Sequence, residues 1–221
     1  DKTGPRKLNW SLQNIPFRNE WLLVVDADEE PSVALHQEIT DVLRRTESYT
    51  AYLIPYHYYF LGKLLRHGDP LTKLVLFKHR LAYYERREVP GMDMYDLEMH
   101  CHPIVNGKIG RLGSPMIHRD FDNLHHHFAR HNVYSDWEAL LRTRYRQRDR
   151  EGEIQPRFFA SAVERSRFHK RTFLSAPGKP LLYFFYSYVL RGGFLDGRPG
   201  FIYNALKSFY WYQIGIKEYE I

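Results

Sequence analysis

The pattern of apolar and polar positions changes period several times along the chain, and each change marks an element. Residues 21–25 (WLLVV) form an unbroken apolar run that ends abruptly in Asp26-Ala27-Asp28-Glu29-Glu30. A run of this length bounded by polar residues predicts a strand buried on both faces, with Asp26 and Asp28 at its carboxyl end. In residues 51–60 (AYLIPYHYYF) the period becomes two, so that Tyr52, Ile54, Tyr56, Tyr58 and Phe60 share one face of a strand. Pro55 predicts an edge position for it, because proline has no N–H for a second neighbour. Residues 73–78 (KLVLFK) predict a second strand, paired with the first as a hairpin across the polar loop 62–70.

Helical spacing governs other stretches. Val33, Leu35, Ile39, Val42 and Leu43 recur mostly at intervals of three and four. Pro31-Ser32 opens this helix, and Arg44 and Arg45 close it where cations favour the dipole. A short helix ended by Pro16 is predicted within residues 7–18. Residues 85–108 are irregular; short strands are expected at 109–112 and 115–118. From 122 to about 150 the pattern is helical with an interruption near 133–135. A basic helix over 157–173, a break at Pro177-Gly178-Lys179-Pro180 and two aromatic helices complete the chain. The last two are separated by Arg191-Gly192-Gly193 and by residues 196–200. There is no internal repeat and no low-complexity tract.

Composition narrows the classes. The chain has 221 residues, 43% apolar and 16% aromatic, with a net charge of +6. It is long enough for one sizeable domain or a domain with a smaller appendage. The charge favours an anionic partner: phosphorylated substrates, an acidic membrane surface or nucleic acid. No RNP, OB or KH pattern supports nucleic acid. The single cysteine, Cys101, excludes an intrachain disulfide framework and points to a cytosolic setting. No signal peptide is visible, and no stretch approaches the roughly 20 apolar residues that span a bilayer. Asp26 and Asp28, one residue apart after an apolar strand, suit a hard cation that takes oxygen ligands.

In order along the chain, WLLVVDADEE (21–30), YHYYFLGKLLRH (56–67), LVLFKH (74–79), EMHCHP (98–103), residues 115–118, HNVY with WEA (131–139) and VLRGGFLDGRPGFIY (189–203) resemble a family 2 inverting glycosyltransferase of the GT-A fold. The nearest subgroup is that of the lipopolysaccharide core glucosyltransferases. The resemblance implies an α/β, Rossmann-like mixed sheet flanked by helices, incomplete at its N-terminus, with a helical C-terminal extension. Such enzymes carry about 60–90 further residues upstream, an ordinary allowance for the first strands of a nucleotide-binding sheet; these donor-binding strands are expected to be missing here. Residues 1–150 are then the acceptor-side part of the catalytic domain, and 151–221 the extension.

The same resemblance implies transfer of a sugar from a nucleotide donor, expected to be a UDP-sugar, to a cell-envelope glycan or lipid-linked acceptor. Asp26 and Asp28 hold Mg²⁺ or Mn²⁺, a Lewis acid bridging phosphate oxygens. His118, closing the PMIH strand, is a further ligand candidate. Inversion needs one base, and the carboxylates of the irregular segment are its candidates: Glu98 first, then Asp96 and Asp93. Arg66, His67, Lys73 and Lys78 are candidates for phosphate contact. His125, His126, His127 and His131 invite a zinc reading, but the spacing lacks the glutamate of H-E-x-x-H, so helix surface or acceptor contact is expected.

The last 45 or so residues combine aromatics with Lys179, Arg191, Arg198, Lys207 and Lys217, a composition suited to the interface of an anionic bilayer. Peripheral contact with the inner face of a bacterial cytoplasmic membrane follows as an expectation. Two other functions remain open: a non-catalytic, membrane-docked scaffold or subunit derived from such an enzyme, and a metal-dependent phosphoesterase using Asp26, Asp28 and histidines.

Overall fold

A computed structural model describes residues 4–45, 48–69, 71–84, 102–119, 123–145 and 178–221. The chain forms two compact units, Asp1–Tyr59 with Pro70–Asp120, and Phe60–Asp69 with Phe121–Ile221. The boundary expected near residue 150 and the basic helix expected over 157–173 fall outside the described residues.

The first unit is mixed α/β. Its elements are α1 (Gly4–Asn14), β1 (Trp21–Leu23), β2 (Glu29–Pro31), α2 (Val33–Arg44) and β3 (Tyr49–Phe60). After β4 (Lys63–Leu65), which belongs to the second unit, come β5 (Leu71–Lys78), β6 (Ala82–Tyr84), β7 (Pro103–Val105), β8 (Lys108–Arg111) and β9 (Met116–His118). A mixed sheet runs β1-β5-β3-β9-β2, with β8 also beside β3. β5 is antiparallel to β3, whereas β8 and β9 run parallel to it. β6 and β7 form a separate antiparallel pair.

One face of the sheet packs Tyr52, Ile54, Tyr56 and Leu76 against Leu35, Ile39 and Val42 of α2. The other packs Ala51, Leu74 and Phe77 with Leu8 and Leu12 of α1. α2 starts where expected: the Ser32 side chain accepts a hydrogen bond from the Leu35 N–H at 3.1 Å. Between Tyr52 and Leu53 the register with β5 steps by one, so Tyr52 faces Leu76 but Leu53 faces Leu74, and Val75 is the extra residue. Without that bulge every side chain before Val75 would lie on the opposite face. It therefore puts Lys73, the partner of Ile54, on the face that carries Tyr56.

Three expectations are corrected. β1 is only three residues long and half-buried, and it ends the sheet order. Its apolar run is continuous because Trp21 and Leu23 pack on one cluster and Leu22 on the other. β3 is central, not an edge. Pro55 is accommodated because β8 pairs only as far as Leu53 and β9 starts at Tyr56, so proline sits in the gap between them. The helix near 133–135 is unbroken.

That helix, α3 (Leu124–Tyr145), opens the described part of the second unit beyond the Phe60–Asp69 segment. It is followed by α4 (Lys179–Phe184), which continues as a π-helical turn (Phe185–Leu190), a 3₁₀ turn (Gly193–Asp196) and α5 (Gly197–Glu220). Lys217 of α5 donates to the Asn132 carbonyl and to Ser135 Oγ, at 2.9 and 2.8 Å, which fastens α3 where a break was expected. Asp196 is buried and accepts hydrogen bonds from the Arg66 N–H (3.0 Å) and the His67 N–H (2.9 Å).

In the first unit, the Asn9 side chain pairs with the backbone of Tyr84 as a neighbouring strand would. Its Nδ2 donates to the Tyr84 carbonyl at 2.9 Å and its Oδ1 accepts from the Tyr84 N–H at 2.7 Å, all of it buried. Asn9→Ala leaves both backbone groups without these partners and is expected to cost about 2 kcal/mol in urea unfolding. Asn9→Asp, which sets a carboxylate oxygen against the Tyr84 carbonyl in a buried site, should recover none of that stability.

Candidate functional site

The site is built on the tight turn that joins β1 to β2. The Glu29 N–H donates to the Asp26 carbonyl at 3.0 Å and closes the turn, while Glu29 Oε2 accepts from the Asp26 N–H at 3.2 Å. The reciprocal pair fixes Asp26, Asp28 and Glu29 in one small loop. β2 then alternates: Glu29 turns inward and Glu30 outward.

Glu29 is the hub. Its side chain is only 1% exposed. Lys73 Nζ donates to Oε1 at 2.5 Å, and the Tyr56 hydroxyl donates to Oε2 at 3.1 Å. Lys73 also lies 3.6 Å from Asp26 Oδ2 and 4.6 Å from the centre of the Tyr56 ring. One ammonium thus serves two carboxylates. Burial raises the Asp26 carboxyl above the ordinary carboxylate value, the adjacent Glu29 charge raises it further, and Lys73 pulls the other way. The Tyr56 hydroxyl is likewise held protonated, by burial first and by the Glu29 charge second.

β9 pairs antiparallel with β2, setting Glu29 opposite His118. The Arg119 N–H continues the ladder onto the Asp28 carbonyl at 2.8 Å. His118 Nε2 therefore comes within 3.1 Å of Asp28 Oδ2, although 90 positions separate them in the chain. A carboxylate only accepts, so this contact requires the hydrogen on Nε2. Nδ1 is buried and has no hydrogen-bond partner among the described residues. The Tyr58 ring packs edge-on against the imidazole at 4.9 Å. On the outer side Arg119 pairs with Glu30 at 3.3 Å and lies over the Tyr59 ring at 4.3 Å.

The structure brings His118 to Asp28 and Lys73 to Asp26, with both aspartates on the one turn. Glu98, Asp96 and Asp93, the base candidates, lie outside the described residues, as does Cys101. Of the four basic candidates Lys73 reaches Asp26, at 3.6 Å. Lys78 pairs with Glu20 at 3.0 Å, and Arg66 and His67 are tied to Asp196 in the second unit. His127 is buried, not on a helix surface, and its ring stacks on His131 at 3.9 Å. Burial lowers the His131 imidazole to about 3, with His127 adding to the effect. Stacked rings do not converge their nitrogens as zinc ligands must.

Sequence reasoning missed Glu29, Tyr56 and Arg119. The alternation that pointed Tyr56 inward was legible, but nothing local tells which of two adjacent glutamates is buried.

Among the described residues no group of three or more His, Cys, Asp or Glu side chains is arranged as a ready-made metal cage. A hard divalent ion takes oxygen donors, and Asp26 and Asp28 are two of that kind. Two carboxylates share one small loop, one of them raised by burial and then by its acidic neighbour Glu29, and His118 Nε2 stands 3.1 Å from the other. Their side chains are 56% and 37% exposed, open to an ion from solvent. No protein-family model, no curated protein and no solved structure matches this chain. Among the described residues no helix is long and apolar enough to cross a membrane.

Proposed function

We propose that the first unit carries the donor-phosphate site of a glycosyltransferase that moves a sugar, with inversion, from a nucleotide-sugar such as a UDP-sugar to a cell-envelope glycan or glycolipid. The observation that carries this reading is the convergence of Asp26 and Asp28 on one turn with His118 and Lys73 at their side. In it, Asp26 and Asp28 hold Mg²⁺ or Mn²⁺, which supplies Lewis-acid neutralisation of the leaving diphosphate. His118 orients Asp28 through its Nε2–H, and Glu29 holds Lys73 against Asp26. Deprotonation of the acceptor hydroxyl falls to a carboxylate among Glu98, Asp96 and Asp93.

The test is titration calorimetry of UDP-sugars with and without Mn²⁺. Binding is expected to require the ion, to weaken at least about 100-fold in Asp28→Ala, and to weaken about 10- to 100-fold in His118→Ala, as for a residue that orients a ligand. Equal binding in the presence of a chelator, or an unchanged Asp28→Ala protein, would sink the proposal.

A further inference from the structure

The described part of the second unit presents an exposed apolar ridge. Leu181, Leu182, Phe185, Tyr186, Val189 and Leu190 are all exposed, and they recur in adjacent pairs every four residues. Tyr183 and Ser187, also four apart, face the interior. In an α-helix residues four apart drift by about 40° around the axis. Here the helix widens into a π turn from Phe185, shown by the Arg191 N–H donating to the Tyr186 carbonyl five residues back at 2.9 Å. The wider turn reverses the drift. The six side chains therefore stay in one straight stripe, with Leu181 77% and Leu190 66% exposed. Exposed apolar surface of this extent is informative, unlike a lone surface leucine.

Along the ridge's own stretch of chain the exposed charges have one sign, and Asp69, which reaches Tyr183 on the inward side, is paired with Lys207 at 3.9 Å. Lys179 stands at its start, Arg191 follows its end, and Arg198 is exposed on the next element. Between residues 178 and 217 the sequence has one acidic residue, Asp196, and it is 3% exposed. Two copies of this chain meeting at the ridge would oppose like charges, on a chain already at +6. An anionic bilayer meets both demands at once, taking up the apolar side chains and attracting the cations. We infer that the ridge 181–190 is a docking surface for an anionic lipid bilayer, lying in the interface plane with Lys179, Arg191 and Arg198 at the headgroups. It shares no residue with the Asp26–Asp28 site and stands whether or not that site transfers sugars.

The experiment is co-sedimentation of the full chain with vesicles of phosphatidylglycerol and phosphatidylethanolamine, and with vesicles of phosphatidylcholine alone. The wild-type chain should partition onto the anionic vesicles, less so as salt rises. The triple variant Leu182→Glu, Phe185→Glu, Leu190→Glu should lose about 100-fold in partitioning, and Arg191→Gln with Arg198→Gln at least about tenfold. A third variant, Phe185→Trp, keeps the ridge apolar and should gain fluorescence quenching by lipids brominated in their acyl chains. The inference is overturned if the triple variant, folded by circular dichroism, binds anionic vesicles as the wild type does, or if the tryptophan at 185 is not quenched. It is equally overturned if the wild-type chain ignores vesicles and instead self-associates through the ridge in analytical ultracentrifugation.

Discussion

Lys73→Met is expected to destabilise the first unit by about 3 kcal/mol near neutral pH, the low end of the cost of breaking a buried ion pair because Lys73 itself keeps some solvent contact. Glu29 is the reason. With the ammonium gone, a carboxylate that is almost wholly buried keeps, among the described residues, the Tyr56 hydroxyl and the Asp26 N–H, and it sits beside a second carboxylate. Glu29→Gln in the Lys73→Met background should recover part of the loss, since a neutral amide needs no counter-charge. A double-mutant cycle from urea unfolding measures the coupling between the two.

The same variant carries a pH signature whose sign follows from Asp26. Its carboxyl is raised in the folded chain, by burial first and Glu29 second. A group raised on folding contributes stability that is fully present below its unfolded value and is lost as pH rises through its folded value. Lys73 pulls Asp26 downward and so limits that loss in the wild type. Lys73→Met removes the restraint. Its destabilisation should be small in the ordinary carboxylate range, at about pH 4, and should grow towards neutrality. If the difference between variant and wild type is flat across that window, the ammonium is not acting on the acidic cluster. A divalent ion on Asp26 and Asp28 would offset the same crowding, so the rise in melting temperature produced by Mn²⁺ should increase over the same pH range.

What could be read in the chain was whatever depends on neighbours in sequence. The Ser32 cap and the spacing of Leu35, Ile39 and Val42 specify α2 locally, and the alternation from Tyr52 to Phe60 specifies β3. The strand ending at His118 was legible for the same reason. What stayed hidden is set by lateral neighbours. A strand covered on both faces reads alike whether or not another strand lies beside it, so the position of β1 at the end of the sheet left no mark in WLLVV. Pro55 misled because the gap between β8 and β9 depends on residues more than 50 positions later. Lys73 joins the site through a bulge at Val75 that the pattern KLVLFK does not announce. Of the site itself, Asp26 and Asp28 stood out through chain adjacency, whereas their contacts with Lys73 and His118 exist only after strand pairing.

Two glycines of α5 should respond oppositely to the same substitution. Gly200→Ala is expected to destabilise the second unit by about 3 kcal/mol, the upper range for forcing an extra methyl into a packed site. A Cβ at Gly200 would lie 2.4 Å from the Gly193 carbonyl oxygen and 2.7 Å from Asp196 Cβ, neither of which belongs to a flexible side-chain end. Relieving the clash means moving the 3₁₀ turn, and with it the buried carboxylate that accepts from the Arg66 and His67 N–H groups. Gly215→Ala adds its methyl where nothing lies within 4 Å. It should stabilise by about 1 kcal/mol, because alanine is that much the better helix former and restricts the unfolded chain. Thermal and urea unfolding of the two single variants and the double decides the matter. Equal effects at the two positions would mean that the close approach of Gly200 to Gly193 is not what the spacing of glycines in GGFLDGRPG serves.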